Sequence, residues 1–288
     1  MQVTRGIQPA IVAAALELVY PKNNSFTAVV EDDHSSYKII GQFFLQGHAA
    51  HLTFIFPAHP AHFHEMCCLT DFLDKRAGEM GAILTLVSVE NANALFDVLR
   101  RAGFCPICHQ TIWQLKPNSL EGNNSDYGWG RINECDHIPI RAHYQKWVPL
   151  AVQAALPLDS QRYPQYVLRL GSQIIGFAEI RREYDGCVLI APHFHPSHQD
   201  IPAAINSLVR LLFSQYQRML ILTHSYQNQL ESYMSQFATH VFGPQNLLVN
   251  HFTARQKVPV ISQHPVAMKN HHAEPTMPSM LSYPQDKC

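Results

Sequence analysis

Charged residues are scarce in this sequence. Asp, Glu, Lys and Arg account for 15% of its 288 residues, against about 25% in ordinary soluble domains, and 21 Lys+Arg almost cancel 22 Asp+Glu. A net charge of −1 supplies no general field to attract nucleic acid or anionic lipid, so neither is an expected partner. Glycine is sparse too, 13 against 19 prolines. There is no Gly-rich phosphate loop, dinucleotide fingerprint or Gly-x-Ser-x-Gly elbow, which excludes the commonest nucleotide-binding and serine-hydrolase layouts. The apolar stretch at residues 10–19 is too short to span a bilayer, contains Glu17 and lacks signal-peptide order. Seven cysteines make an odd number without framework spacing. These absences lead to an expected cytoplasmic protein with reduced thiols.

What is present is a large apolar fraction, 47%, and 18 histidines. At about 100–200 residues per domain the length suits two domains, and the chain repeats itself. Ile39-Ile40-Gly41 recurs as Ile174-Ile175-Gly176, 135 residues later. His59-Pro60-Ala61-His62 recurs as His195-Pro196-Ser197-His198, and Ile83-Leu84-Thr85-Leu86 as Met219-Leu220-Ile221-Leu222, both at an offset of 136. Three anchors in one order at nearly constant spacing indicate a duplication.

Periodicity gives each half the same element order. In the first half, strands are predicted over residues 25–31, 37–45, 51–56, 82–89 and 108–115, with helices over 66–80 and 91–102. Met66, Leu69, Phe72, Leu73 and Ala77 fall on one face of the first of these helices. In the second half, strands are predicted over 166–170, 173–181, 187–191, 219–223 and 247–254, with helices over 202–217 and 227–239. A helix should also precede the first strand. The strand–helix–strand in the middle of each half requires a parallel crossover. The expected domains are 1–116 and 127–257, joined by a polar linker at 117–126, with a proline-rich disordered tail at 258–288.

Asn91-Ala92-Asn93-Ala94 through Gly103-Phe104, and His195-Pro196 through Ala204, resemble segments of the GNAT superfamily of acyltransferases. The resemblance covers roughly residues 1–115 and 127–257. It implies an α/β fold of two tandem GNAT-like domains, each a mixed, mostly antiparallel sheet with a central parallel β-α-β crossover and flanking helices. It also implies acetyl-CoA or another acyl-CoA as co-substrate, held in a cleft beside the fourth strand, and an amine or peptide acceptor. The matching cleft positions are Ile190, His195, His198, Gln199, Ile201, Ala203 and Ala204. Pro202 stands where the family has glycine and supplies no N–H to a phosphate, while Asp200 adds a negative charge. In the first half Phe63, Met66 and Cys68 replace the signature, so that half reads as the structural copy.

Acyl transfer to an amine needs a base and an acid. The resemblance points to Glu179, His193 or His195 as base and to Tyr226 or Tyr233 as acid; in the first half the tyrosine position is Leu99. Two other readings stay open. One is a catalytically inactive member that binds a ligand or partner between its domains, as a monomer with pseudo-twofold domains or as a homodimer. The other is a histidine-cluster metal site built on His193, His195 and His198 or on His59, His62 and His64, although no metal is the first expectation. Cys105-x-x-Cys108-His109 has the haem-attachment pattern without an export signal and reads as small residues beginning a strand. Arg181-Arg182 reads as a solvated basic pair.

Overall fold

The strands follow from alternation that serves two cores at once. In QIIGFAEIRR, Ala178 and Ile180 enter one hydrophobic cluster while Phe177 enters another across the sheet, as a period-2 chain covered on both faces requires. A register shift beside Gly176 puts Ile175 with the first and Ile174 with the second. Residue 187 to residue 193 is buried throughout. The computed structural model describes residues 24–31, 38–90, 93–115, 127–158, 165–182, 187–196, 198, 200–213, 215–216 and 218–252. The predicted N-terminal helix, the linker and the tail lie outside the described residues.

The first half provides β1 (Ser25–Glu31), β2 (Lys38–Gln46), β3 (Ala49–Phe56), helix α1 (Phe63–Glu79), β4 (Leu84–Glu90), α2 (Ala94–Arg101) and β5 (Cys105–Leu115). The second provides β6 (Gly128–Arg131), α3 (His137–Trp147), α4 (Leu150–Ala155), β7 (Gln165–Leu170), β8 (Gln173–Arg182), β9 (Cys187–Phe194), α5 (Ile201–Phe213), β10 (Arg218–His224), α6 (Asn228–Phe237) and β11 (Ala238–His251). All eleven strands join one sheet in the order β1-β2-β3-β4-β11-β5-β10-β9-β8-β7-β6. It is mostly antiparallel; β3 with β4 and β9 with β10 are the parallel pairs, each bridged by a helix. The last strand of each half crosses over: β5 lies between β10 and β11, and β11 between β4 and β5.

Helix α5 buries Ile201, Ala204, Ile205, Leu208, Val209 and Leu212, the i, i+3, i+4 stripe of an amphipathic helix. Helix α1 buries Met66, Leu69, Leu73 and Ala77 in the same way. Phe72, predicted on that face, is 52% exposed and only edges onto Phe26 at 6.2 Å. The repeated glycine has a packing reason in both copies. A Cβ on Gly41 would lie 2.8 Å from Leu73 of α1, and one on Gly176 would lie 3.0 Å from Phe194 and 3.1 Å from the His193 carbonyl, so only hydrogen fits.

Sequence reasoning missed α3 and α4. Only Ile140 and Tyr144 of α3 are buried, too few for a clear stripe, and Pro139 and Pro149 read as loop. The 3-10 turn Glu134–Asp136 that leads into α3 is instead capped: the Asn133 side chain accepts from the Cys135 N–H at 2.9 Å, and Asp136 accepts from the Asn133 N–H at 2.8 Å. Helix α2 starts later than predicted, where Asn93 accepts from the Leu95 N–H at 2.9 Å. Strand β11 starts nine residues earlier than predicted, at Ala238 rather than Leu247. Its first part carries register shifts and Gly243 at φ +106°, which hide it from a period-2 search.

Candidate active site

Strands β9 and β10 pair only from Cys187–Ile190 against Arg218–Ile221. Beyond these residues β9 stays with β8 while β10 stays with β5, so the sheet opens. Pro192 makes this possible: its carbonyl faces the gap, the nitrogen of a strand residue faces the same edge as its carbonyl, and proline has no N–H to leave unpaired there. Gln227 bridges the opening, donating from its amide nitrogen to the Pro192 carbonyl at 2.6 Å and accepting from the His224 N–H at 2.9 Å. Strands β3 and β4 part in the same way beyond His51 and Leu86.

Two cavities flank the opening. The larger, about 450 Å³, lies over the middle of the sheet and takes walls from both halves, including Leu52, Ser88 and Gln110 from the first and Tyr144, Glu179, Arg181 and Leu222 from the second. The smaller is a slot of about 280 Å³ between β9 and the starts of α5 and α6, lined by Trp147, Phe194, His195, Ile201 and Gln227. His193 and Tyr226 line both.

The central cavity holds a buried polar cluster. On β8, Phe177, Glu179 and Arg181 share one face by strand alternation. Glu179 accepts from the Arg181 guanidinium at 3.3 Å and stands 3.7 Å from His193 Nε2, an ion-pair distance. Burial alone would raise its carboxyl, but His193 and the Arg181 charge outweigh that and hold it at about 2. Glu179 is therefore a fixed anion at neutral pH. His193 stacks on Phe177, ring centroids 4.7 Å apart, and meets Tyr144 edge-on. His224 is 5% exposed, and neither of its ring nitrogens meets a hydrogen-bond partner of good geometry. Burial, then the neighbouring His193, push its pKa down to about 3, so it is a neutral imidazole on the cavity wall. Tyr226 stacks on it at 5.2 Å, and burial raises the Tyr226 phenol well above its usual range. The first half supplies Gln110, which donates to Ser88 at 2.7 Å.

The structure thus brings Glu179, His193 and Tyr226 together on one cavity. Tyr233 lies elsewhere, in the core between α5 and α6, with its hydroxyl donating to Asn206 at 3.1 Å. Of the cleft positions, His195 and Ile201 line the slot. Ile190 and Ala204 are fully buried behind it, and Ala204 gives its carbonyl to the Trp129 indole. His198 packs between Phe194 and Tyr127, and burial lowers its pKa. Ala203 is half-buried, and Gln199 lies outside the described residues. Arg181, predicted to be solvated, is drawn into the cavity by Glu179. Sequence reasoning also missed His224, Tyr144 and Gln227; of these only His224, two residues before Tyr226 at a strand end, carried a signal.

The start of α5 does not fit a diphosphate. Asp200 accepts from the Ala203 N–H at 3.3 Å through one carboxylate oxygen and from the Tyr127 hydroxyl at 2.8 Å through the other. An anion already occupies the helix terminus. The histidine runs do not gather either: His193 faces the cavity while His198 is wedged between aromatic rings. Among the described residues no group of three or more His, Cys, Asp or Glu could hold a metal. Burial pushes the Cys108 thiol up to about 12. No described helix is long and apolar enough to cross a membrane.

A mixed sheet that opens beside a parallel β-α-β unit, with a helix starting at the opening, defines a GNAT-like fold. Solved structures agree. The chain is similar to a functionally unknown conserved protein from Staphylococcus epidermidis, with TM-score 0.55 and 11% identity over 83% of this chain and 98% of that one. It is also similar to a GCN5-related N-acetyltransferase from Kribbella flavida, with TM-score 0.51 and 12% identity over 88% and 98%. A tandem GNAT protein from the clavulanic acid biosynthesis pathway matches more loosely, with TM-score 0.45 and 12% identity over 86% and 90%. At these identities the likeness is one of fold. No protein-family model and no curated protein matches the chain.

Proposed function

We propose that this protein is a GNAT-type N-acyltransferase that works on a small amine in the central cavity. The observation that carries the reading is the meeting of Glu179, His193 and Tyr226 on one cavity, reached through the β9–β10 opening. In an N-acyl transfer from a thioester, the amine nitrogen bonds to the acyl carbon as the C–S bond breaks. Of the two protons an ammonium acceptor loses, one ends on sulfur and one in solvent. Glu179, a fixed anion, orients the His193 imidazole, which takes a proton from the acceptor. Tyr226, held protonated by burial, is a proton donor on the same wall. Because the α5 start does not fit a diphosphate, no part of this assignment is routed through that group. We read the chain as two repeated domains, β1–β5 and β6–β11, that have exchanged their last strands; the mirror order of β1–β5 and β7–β11 in the sheet and the paired glycines support it.

A second reading is favoured by Asp200: a non-catalytic member that binds a small ligand in the same cavity. The two separate on one experiment. The full chain is incubated with millimolar acetyl-CoA and a panel of primary amines, and free thiol is followed by a colorimetric reagent. Amine-dependent thiol release that falls about 10²–10⁴-fold in a folded His193→Asn variant supports the transferase. Absence of release alongside an amine-dependent rise in melting temperature supports the binding protein instead.

A further inference from the structure

The place where an anionic donor would be gripped is taken by the chain's own carboxylate, while the slot beside it is built for something neutral. Of the first four residues of α5, Ile201 to Ala204, Pro202 has no N–H, Ala203 donates to the Asp200 side chain and Ala204 donates to the Asp200 carbonyl at 3.2 Å. Only the Ile201 N–H is left to offer. From His195 to Ala204 the sequence contains no Lys or Arg, so no permanent cation in the loop offsets the Asp200 charge. The corresponding helix of the first half, α1, also carries a carboxylate, Glu65, in its first turn, and its loop from His59 to Glu65 likewise lacks Lys and Arg. Helix termini that bind phosphate do so with free amides and positive potential, and the α5 start lacks both.

The slot is different in kind. Its walls are largely aromatic and apolar, from Trp147, Phe194, Ile201 and Leu230, with the carboxamide of Gln227 and the imidazoles of His193 and His195 among them and no Lys, Arg, Asp or Glu. The Trp147 indole N–H is buried there without a hydrogen-bond acceptor among the described residues. Gln227 spans the Pro192 carbonyl and the His224 N–H with one donor and one acceptor, the pattern a secondary amide presents. We propose that the acyl donor is an acylated pantetheine-type thioester recognised through its neutral, amide-bearing arm, with no contribution from a diphosphate. This names the donor class for the acyltransferase reading and rests on it.

Binding of unacylated ligands tests the inference separately from turnover. The full chain is titrated calorimetrically with pantetheine, with CoA, and with a carrier protein bearing a phosphopantetheine arm. Pantetheine and CoA should bind with dissociation constants within about threefold of each other, since the diphosphate adds no contact. Asp200→Asn, which keeps an N-cap side chain but removes the charge, and Pro202→Gly, which restores an amide, should each tighten CoA by about 5–10-fold and leave pantetheine unchanged. Tighter binding of the carrier than of pantetheine marks a protein-bound arm as the source; equal binding marks a free thioester. The inference is overturned if CoA binds the natural sequence more than about 100-fold tighter than pantetheine, or if neither binds. Matched affinities without any acyl transfer would leave the donor class standing and remove the transferase reading.

Discussion

Replacing His224 by phenylalanine should flatten part of the protein's response to acid. In the folded chain this imidazole resists protonation down to about pH 3, whereas an ordinary histidine titrates at 6.5. Its folded pKa is depressed, so between those values the unfolded chain binds a proton that the native chain refuses. Stability is complete above pH 6.5 and is lost as pH falls. From pH 7.5 to pH 4.5 the window crossed is 2 units below 6.5, worth about 3 kcal/mol at ~1.4 kcal/mol per unit. That is a large share of the roughly 5–15 kcal/mol that holds a domain together. Asp74 works in the opposite direction over the same range, so the measurement is a difference between two proteins. His224→Phe keeps a flat ring against Tyr226 and removes two nitrogens that lack partners, so it should be nearly neutral at pH 7.5. Urea unfolding of both proteins at the two pH values gives the quantity: the variant should retain about 3 kcal/mol that the natural protein loses. Parallel losses, within about 1 kcal/mol, would refute a buried neutral imidazole.

Burial raises the Asp74 carboxyl to about 6, against a hydrogen bond from Asn250 at 2.7 Å. The native chain then keeps a proton that the unfolded chain releases, so stability is lost as pH rises from about 4 through 6. Asp74→Asn should remove that decline, some 2–3 kcal/mol for this partly screened site, as read by denaturant midpoints at pH 4 and 7; an unchanged slope rules the assignment out. Gln227→Ala strips the bridge across the β9–β10 opening. It should cost about 1–3 kcal/mol and speed hydrogen exchange at the His224 amide, and unaltered protection there would show that the bridge contributes nothing.

Much of the fold could be read from local pattern because local pattern is what sets it. Two-sided alternation in β8 and the i, i+3, i+4 stripe of α5 leave one packing each. The repeated Ile-Ile-Gly reflects close packing over the glycine, by the Leu73 and Leu69 side chains at Gly41 and by Phe194 and the His193 carbonyl at Gly176. The placement of β11 between β4 and β5 could not be read in this way, because hydrophobic periodicity says which face of a strand is buried and not which strand lies beside it. Glu179, His193 and Tyr226 were accessible as residue types near strand ends. Arg181 and His224 were not, because their roles arise from what burial brings against them. The Asp200 cap was half visible: the charge stands in the sequence, but only the fold shows it folded back onto its own helix.

The crossing of the two final strands also governs how the molecule is made. Strand β11 inserts between β4 and β5, pairing Leu247 with Ser88 and Ala238 with Leu115. The first half therefore leaves the ribosome with an open flank on β4, and the centre of the sheet must wait for a strand that ends at residue 251 to be translated. Such long-range pairing is slow to form, and until it does, strand edges that will later adjoin the central cavity stay open to other chains.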